Sequence, residues 1–282
     1  MENPMVSICI PVYNGESFLE KTLQSVYWQT FSDYEVIILD NCSTDNTQII
    51  ISKFVQDFKF EKITYFKNPT KLNMADNWNK SISLARGKYT KLLCADDLID
   101  PNCLEHQTAI LEHKNSSKVV LTFSGRKIID GNGKTIFKKY GKALPQGILD
   151  SNFIKNLCIR YRTNLFGEPC AVLFKTEEFK KTPGFTIQWP FLIDISLWMA
   201  LLDHGNAYFD NQTLCSFRIS KTSGSGKAGV RQICQSMSFF NEIYRRNENA
   251  VTLYNYLIGF LIGPLIGLAR VVVILIINLG HR

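Results

Sequence analysis

Closely spaced cysteines are missing from this sequence. Its eight cysteines (9, 42, 94, 103, 158, 170, 215 and 234) lie far apart and form no C-x-x-C pair. A disulfide framework or a zinc site would need clustered thiols, so neither is expected, and the pattern suits a reducing cytoplasm. Several sit inside apolar runs, where a free thiol packs as a small hydrophobe. Met1-Glu2-Asn3-Pro4 offers neither a basic n-region nor an apolar h-region, so no signal peptide is expected. A complete phosphate-binding P-loop is also missing. Gly224-Ser225-Gly226-Lys227 resembles the end of one, but Lys221 and Ala228 stand where the motif needs Gly and Ser or Thr. No strand leads into that stretch, which reads as a mobile loop. There is no basic helix and no aromatic-rich single-strand motif, so nucleic acid is not an expected partner.

What is present is a globular composition. Of 282 residues, 45% are hydrophobic and 20% charged, enough for one large core or two modest ones. The net charge of +7 is spread along the chain. That predicts a basic surface able to sit near anionic lipid or phosphorylated ligands.

Strand-like runs alternate with helical patterns through the first half. Val6-Ser7-Ile8-Cys9-Ile10 ends at the turn Pro11-Val12-Tyr13-Asn14-Gly15, and Ser17 with Glu20 forms a capping-box pattern. Phe18, Leu19, Leu23, Val26 and Tyr27 then recur at helical spacing. Tyr34 to Leu39 is a second strand, ending in Asp40-Asn41-Cys42-Ser43-Thr44-Asp45. Ile63 to Phe66 is a third, followed by a helix from about Met74 to Arg86 that Gly87 stops. Tyr89 to Cys94 is a fourth, and Val119 to Phe123 a fifth. This order predicts a largely parallel α/β sheet with helices on both faces.

The fourth strand runs into Ala95-Asp96-Asp97-Leu98. Adjacent carboxylates repel unless a cation or donor lies between them, and at the carboxyl edge of an open α/β sheet they face the ligand. Oxygen donors of this kind suit Mg²⁺ or Mn²⁺, with phosphates completing the shell. The alternative is an acidic turn that starts the helix after Pro101.

These motifs, taken together, resemble the family 2 glycosyltransferases of GT-A fold. The ordered set is Val6 to Asn14, Ser25 to Thr30, Asp40 to Asp45, Ala85-Arg86-Gly87-Lys88-Tyr89 and Ala95-Asp96-Asp97. More loosely, Gly167-Glu168-Pro169, Asp194 to Trp198 and Phe217-Arg218 resemble the bacterial cell-surface sugar transferases of that family. The resemblance implies transfer of a sugar from a nucleotide diphosphate donor, with inversion at the anomeric carbon. Pro11, Tyr13 and Asn14 would then belong to the donor site, Pro11 and Tyr13 lining the base, with Asp40 and Asn41 beside it. Asp96 and Asp97 correspond to the acidic metal motif, Asp97 as the direct ligand, and Lys71 and Asn79 fall where donor-contacting polar residues lie. Read without the family, Tyr13 is a turn aromatic, Lys71 a solvated charge and Asn79 a helix-surface residue. Two positions depart from the pattern: Asn41 stands where Asp is frequent, and Cys94 where many relatives carry an acid.

Transfer needs a neutralised leaving group and a base for the attacking hydroxyl. Asp194, a single carboxylate in Trp189 to Trp198, is the candidate base, with a helix N-cap as its structural alternative. Glu168 lies on a turn where it can face donor sugar or acceptor. Arg218 and Lys221 can fold over the diphosphate, unless they are simply an exposed basic loop.

Residues 250–279 are almost wholly apolar, broken by Arg270 and Gly263-Pro264, and follow Arg245 and Arg246. The run can be a kinked span, a re-entrant hairpin, a helix on the membrane surface, or the buried helix of an oligomer. The expected organisation is a nucleotide-sugar-binding half (1–125), an acceptor-binding and catalytic half (126–225), and a helical tail (226–282). The expected partners are a nucleotide-sugar, a lipid-linked glycan acceptor and the cytoplasmic face of the bacterial inner membrane. The competing expectation is an inactive relative that binds nucleotide-sugar or assists membrane assembly.

Overall fold

Seven residues with no exposed side form the first strand, β1 (Val6–Val12). The computed structural model describes residues 3–113, 118–141, 144–220, 230–246 and 250–279. After β1 come α1 (Leu19–Tyr27), β2 (Tyr34–Asp40), α2 (Thr47–Phe58), β3 (Ile63–Lys67), α3 (Met74–Ser83) and β4 (Tyr89–Leu92). β3, β2, β1 and β4 lie side by side in that order, all parallel. β1 and β2 are buried throughout, as near-continuous apolar runs in a parallel sheet should be.

The chain then makes β5 (Leu98–Ile99), α4 (Cys103–Glu112), β6 (Val119–Ile129), β7 (Thr135–Tyr140), β8 (Gly147–Leu149) and α5 (Ser151–Tyr161). A 3₁₀ turn (Pro169–Ala171) leads into β9 (Val172–Lys175), α6 (Thr176–Phe179), α7 (Ile193–Leu201), β10 (Asn206–Arg218), α8 (Val230–Arg246) and α9 (Leu253–Leu279). β9 pairs antiparallel with both β4 and β6, while β6 and β10 are parallel. β5 and β8 add antiparallel to β10, and β7 to β6. The sheet is therefore mixed, with its parallel half at the N-terminus.

Alternation along the strands sends side chains into two cores. Ile8, Ile10, Val36 and Ile38 meet Leu19, Leu23, Phe54 and Leu104 of α1, α2 and α4 on one face. Cys9 and Ile37 meet Ala75, Ile82, Ile154, Trp198 and Phe240 of α3, α5, α7 and α8 on the other. All eight cysteines are free, and Cys9, Cys103, Cys158, Cys170 and Cys215 are buried.

Three local expectations are corrected. Ser17 does not cap α1: the cap position is Phe18, without a side-chain bond, and the Phe18 and Leu19 amides donate to the Gly15 carbonyl instead. α3 stops at Ser83, before Gly87, because the Arg86 amide and guanidinium both turn to the Glu35 carboxylate. Residues 250–279 hold one continuous helix, which removes the re-entrant hairpin. Lys221 and Gly224–Lys227 lie outside the described residues.

Candidate active site

Past β4 the Leu93 amide still donates to the Cys9 carbonyl, and the chain then turns, closed by the Asp97 amide on the Cys94 carbonyl. Thr22 of α1 holds this turn from one side, its hydroxyl 2.9 Å from both the Ala95 and Asp97 carbonyls. Arg218, at the end of β10, holds it from the other. Its amide donates to Asp97 Oδ1 at 2.9 Å, Nε donates to the Asp96 carbonyl at 2.8 Å, and Nη1 donates to the Asp130 carbonyl at 2.9 Å. The Phe18 ring lies 4.7 Å from the guanidinium carbon. Arg218 is thus buried as a clamp on the acidic turn, with Nη2 unpartnered.

Asp97 is fully buried and its Oδ2 has no partner. Ligand atoms of Cys94, Asp96 and Asp97 all lie within 4.8 Å of one another. Burial, then the neighbouring Asp96 charge, pushes the Asp97 carboxyl well up. Burial likewise raises Asp96, against the pull of Arg218. A buried carboxylate oxygen with no donor, next to a second carboxylate, fits a divalent cation of the Mg²⁺ or Mn²⁺ kind. The Cys94 thiol is raised far by burial and by Asp97, so it is protonated and unsuited to such a hard ion. Asp96 and Asp97 are the ligand pair that fits.

At the ends of β1 and β2 the loops are laced together. Asp40 Oδ1 accepts from the Ser43 amide at 2.7 Å, and Oδ2 accepts from the Tyr65 hydroxyl at 2.8 Å. Asn14, in the left-handed region at φ 52°, accepts from the Thr44 amide, while its own amide donates to the Ser43 hydroxyl. Asn41 grips the next loop. Its Oδ1 accepts from the Leu72 amide (2.8 Å) and Asn68 Nδ2 (3.0 Å), and its Nδ2 donates to the Leu72 carbonyl (2.8 Å). That loop brings Lys71 Nζ to 3.6 Å from the ring centre of Tyr13, which is 45% exposed. Pro11 is buried in β1 beneath them. Asn79 lies elsewhere: its amide exchanges two hydrogen bonds (2.8 and 2.9 Å) with the Phe185 peptide, tying α3 to the turn before α7.

Asp194 stands in the first turn of α7, whose cap position is Leu192, so the N-cap alternative does not hold. Its Oδ1 accepts from the Ile195 amide and its Oδ2 from Asn164 Nδ2, both at 2.8 Å. Asn164 Nδ2 also donates to the Gly167 carbonyl, to which Trp198 Nε1 donates at 3.3 Å. Burial first, and the Glu168 charge second, push the Asp194 carboxyl up to about 7. Glu168 is ion-paired with Arg126, a buried guanidinium whose carbon lies 4.9 Å from the Tyr140 ring centre. Gly167 gives that guanidinium room: at φ +93° a Cβ there would meet Arg126 Nη1 at 2.6 Å. The Cys94 thiol, beside the Asp96 and Asp97 carboxylates, is raised by burial first and then by the charges of Asp97, Asp96, Asp194 and Glu168.

Arg126 and Asn164 were not anticipated from the sequence. Arg126 had a signal, a cation next to Lys127 inside the largely buried run Val119–Ile129. Asn164 sits in an irregular connection and had none.

A mixed α/β sheet with a parallel first half, helices on both faces and an acidic turn at its carboxyl edge is the GT-A arrangement. The model described as "Glycosyl transferase family 2" matches residues 7–178, and the chain belongs to that family. An uncharacterized glycosyltransferase of Rickettsia bellii is 30% identical over 227 residues, 79% of this chain and 31% of that protein. The putative teichuronic acid biosynthesis glycosyltransferase TuaG of Bacillus subtilis is 28% identical over 221 residues, 78% of this chain and 81% of TuaG. The chain spans 31% of the length of the Rickettsia bellii protein and 64% of an uncharacterized glycosyltransferase of Rickettsia typhi, to which it is 30% identical over 218 residues. Among solved structures, S. aureus TarS 1-349 in complex with UDP-GlcNAc superposes with a TM-score of 0.65 at 17% identity, covering 83% of this chain and 65% of TarS. The mannosyltransferase PcManGT of Pyrobaculum calidifontis, in complex with GDP-Man and Mn²⁺, gives 0.66 at 15%, covering 97% and 75%. At these identities the two structures share the fold.

Proposed function

We propose that this chain transfers a sugar from a nucleotide diphosphate-sugar to a hydroxyl of a lipid-linked glycan acceptor, with inversion, during synthesis of a cell-surface polysaccharide or lipopolysaccharide. The observation that carries the reading is the buried acidic turn, where the Asp96 and Asp97 ligand atoms lie within 4.8 Å of one another and Asp97 Oδ2 has no donor, in a chain that also holds the Asp194 carboxyl on Asn164. Tyr13, with Lys71 over its face, receives the base, and the Asp40–Ser43 and Asn14–Thr44 bonds hold the loop edge it lies on. Glu168, held by Arg126, faces the sugar and keeps Asp194 basic enough to accept a proton. Asn164 fixes the orientation of that carboxylate, so its free lone pairs meet the attacking hydroxyl. Asp96 and Asp97 would hold a divalent ion, which when bound would supply charge neutralisation for the departing diphosphate. TuaG, TarS and PcManGT support this reading by the names and ligands they carry.

The deciding experiment is nucleoside diphosphate release from UDP-, GDP- and dTDP-sugars, with Mn²⁺ and with EDTA, in the presence of a lipid-linked glycan extract. Metal-dependent release from one donor is expected. Absence of release together with absence of donor binding by calorimetry would favour the inactive partner, which the neutral Asn41 and Cys94 keep in view. Helix α9 is proposed to hold the enzyme at the cytoplasmic face of the membrane, where such acceptors are found.

A further inference from the structure

Helix α9 is built inside out. In a soluble protein, large apolar side chains of a surface helix face the core and polar ones face water. Here the side packed on the protein is small or polar. Gly259 lies on the Ile159 carbonyl, where a Cβ would come within 2.1 Å, Gly263 on Arg162 and Met237, and Gly267 on Ile233. Asn255 donates to Asn156, Tyr256 stacks on Tyr244 with ring centres 4.1 Å apart, and Arg270 turns inward to donate to the Thr163 hydroxyl. The outward side is Leu253, Tyr254, Leu257, Phe260, Leu261, Leu265, Leu268, Val272 and Val273, ending at Leu275, all exposed. This row carries no charge and is about 33 Å long at 1.5 Å per residue.

We infer that α9 does not cross a bilayer but lies in its surface, with the Leu257–Val272 row among the acyl chains and the glycine side fixed to the enzyme. The inference rests on the membrane-bound reading above and gives it a geometry. Leu253–Val273 is long and apolar enough to span. Packing argues against it. α8 runs antiparallel beside α9, as Tyr244 on Tyr256, Met237 on Gly263 and Ile233 on Gly267 show. A crossing α9 would draw α8 into the hydrocarbon with Arg231, Gln232, Gln235, Asn241, Glu242, Arg245 and Arg246, and with the end of α5. Lying flat, α9 immerses only its uncharged row. The charge distribution fits a bilayer better than a second protein. No acidic residue occurs from Ala250 to Arg282, and exposed Arg231 and Arg245 stand near opposite ends of the α8–α9 pair, placed for anionic headgroups.

The test is spin-label depth on the full-length protein, bound to phosphatidylcholine–phosphatidylglycerol vesicles. Leu257→Cys, Leu261→Cys, Leu265→Cys, Leu268→Cys and Val272→Cys are labelled singly in a background with Cys42→Ser, Cys94→Ala and Cys234→Ser, which removes the thiols that are not buried. The labelled side chains point outward, so the fold is left intact. All five labels are expected at one shallow depth, about 5–10 Å below the headgroup boundary. Replacing the anionic lipid with phosphatidylcholine is expected to weaken binding about tenfold or more. Depth that passes through the bilayer centre along the series would establish a span and overturn the inference. Labels that stay water-accessible, in a monomer or in a dimer seen by light scattering, would overturn it too, the dimer naming a second copy as the occupant. Sugar transfer is assayed separately on the parent protein, so loss of the enzymatic reading leaves the depth result standing.

Discussion

Asp194 is where two demands oppose each other. A base for the acceptor hydroxyl, the role proposed for Asp194, must be ionised at working pH, yet burial and Glu168 hold its proton until about pH 7. Its folded pKa lies above the ordinary value, so the folded state binds more protons than the unfolded chain between about pH 4 and 7. Stability from this group is therefore present at low pH and lost as pH rises through 7, while activity rises over the same range. kcat/KM is expected to climb along a limb centred near pH 7. Asp194→Asn should lower kcat by about 10²–10⁴ and leave donor binding intact. The same variant sets an NH2 against the Asn164 donor at every pH, but it removes an ionised buried group only at high pH, so its stability relative to the parent should be higher at pH 8 than at pH 5 by on the order of 1–2 kcal/mol. Thermal melts at pH 5 and pH 8 check the sign, and a difference that is the same at both would reject this account of Asp194.

The elements of the first half were legible because local pattern and tertiary burial agree there. The runs at Val6, Tyr34, Ile63 and Tyr89 became parallel strands, and Leu19, Leu23 and Val26 turned to the core as their spacing requires. Expectations failed where another polar bond, long-range at Arg86 and local at Gly15, outcompeted the expected one. Glu35, on a neighbouring strand, takes the Arg86 amide and ends α3 early, and Ser17 lost to a backbone carbonyl at α1. Legibility was lowest around β6, β9 and β10, where Arg126 meets Glu168 and Arg218 meets Asp97 across strands far apart in sequence. Asn41 illustrates the limit and carries a prediction. Its departure from Asp has a structural reason, since only an amide can both accept from the Leu72 amide and donate to the Leu72 carbonyl. Asn41→Asp should lose that donation, place two acceptors together and destabilise the fold by about 1–3 kcal/mol. It should also loosen the loop that sets Lys71 over Tyr13. Donor KM is then expected to rise more than kcat falls, and steady-state kinetics with matched melts would expose the reverse pattern.

At the scale of the whole molecule, the acidic turn lies where both halves of the sheet meet. β4 delivers it, α1 holds it through Thr22, and β10 holds it through Arg218. Three elements therefore constrain two carboxylates that repel each other, and Asp97 Oδ2 is left without a donor. A cation at this place relieves repulsion that the unfolded chain does not have, so it should stabilise the entire fold and not the turn alone. At a concentration one hundred times its dissociation constant, one bound ion contributes about 2.7 kcal/mol. For a chain of this size that corresponds to a rise in Tm of roughly 5–10 °C. Mn²⁺ is expected to raise Tm by this order, EDTA to reverse it, and Ca²⁺ to act more weakly if the turn prefers the smaller ion. Asp97→Asn should melt higher than the parent in EDTA, because one of the opposed charges is gone, and should no longer respond to Mn²⁺. Calorimetric melts of both proteins in both conditions give four values. A response to Mn²⁺ that survives in Asp97→Asn would place the ion elsewhere, and equal melting in EDTA would mean that Arg218 already compensates the pair.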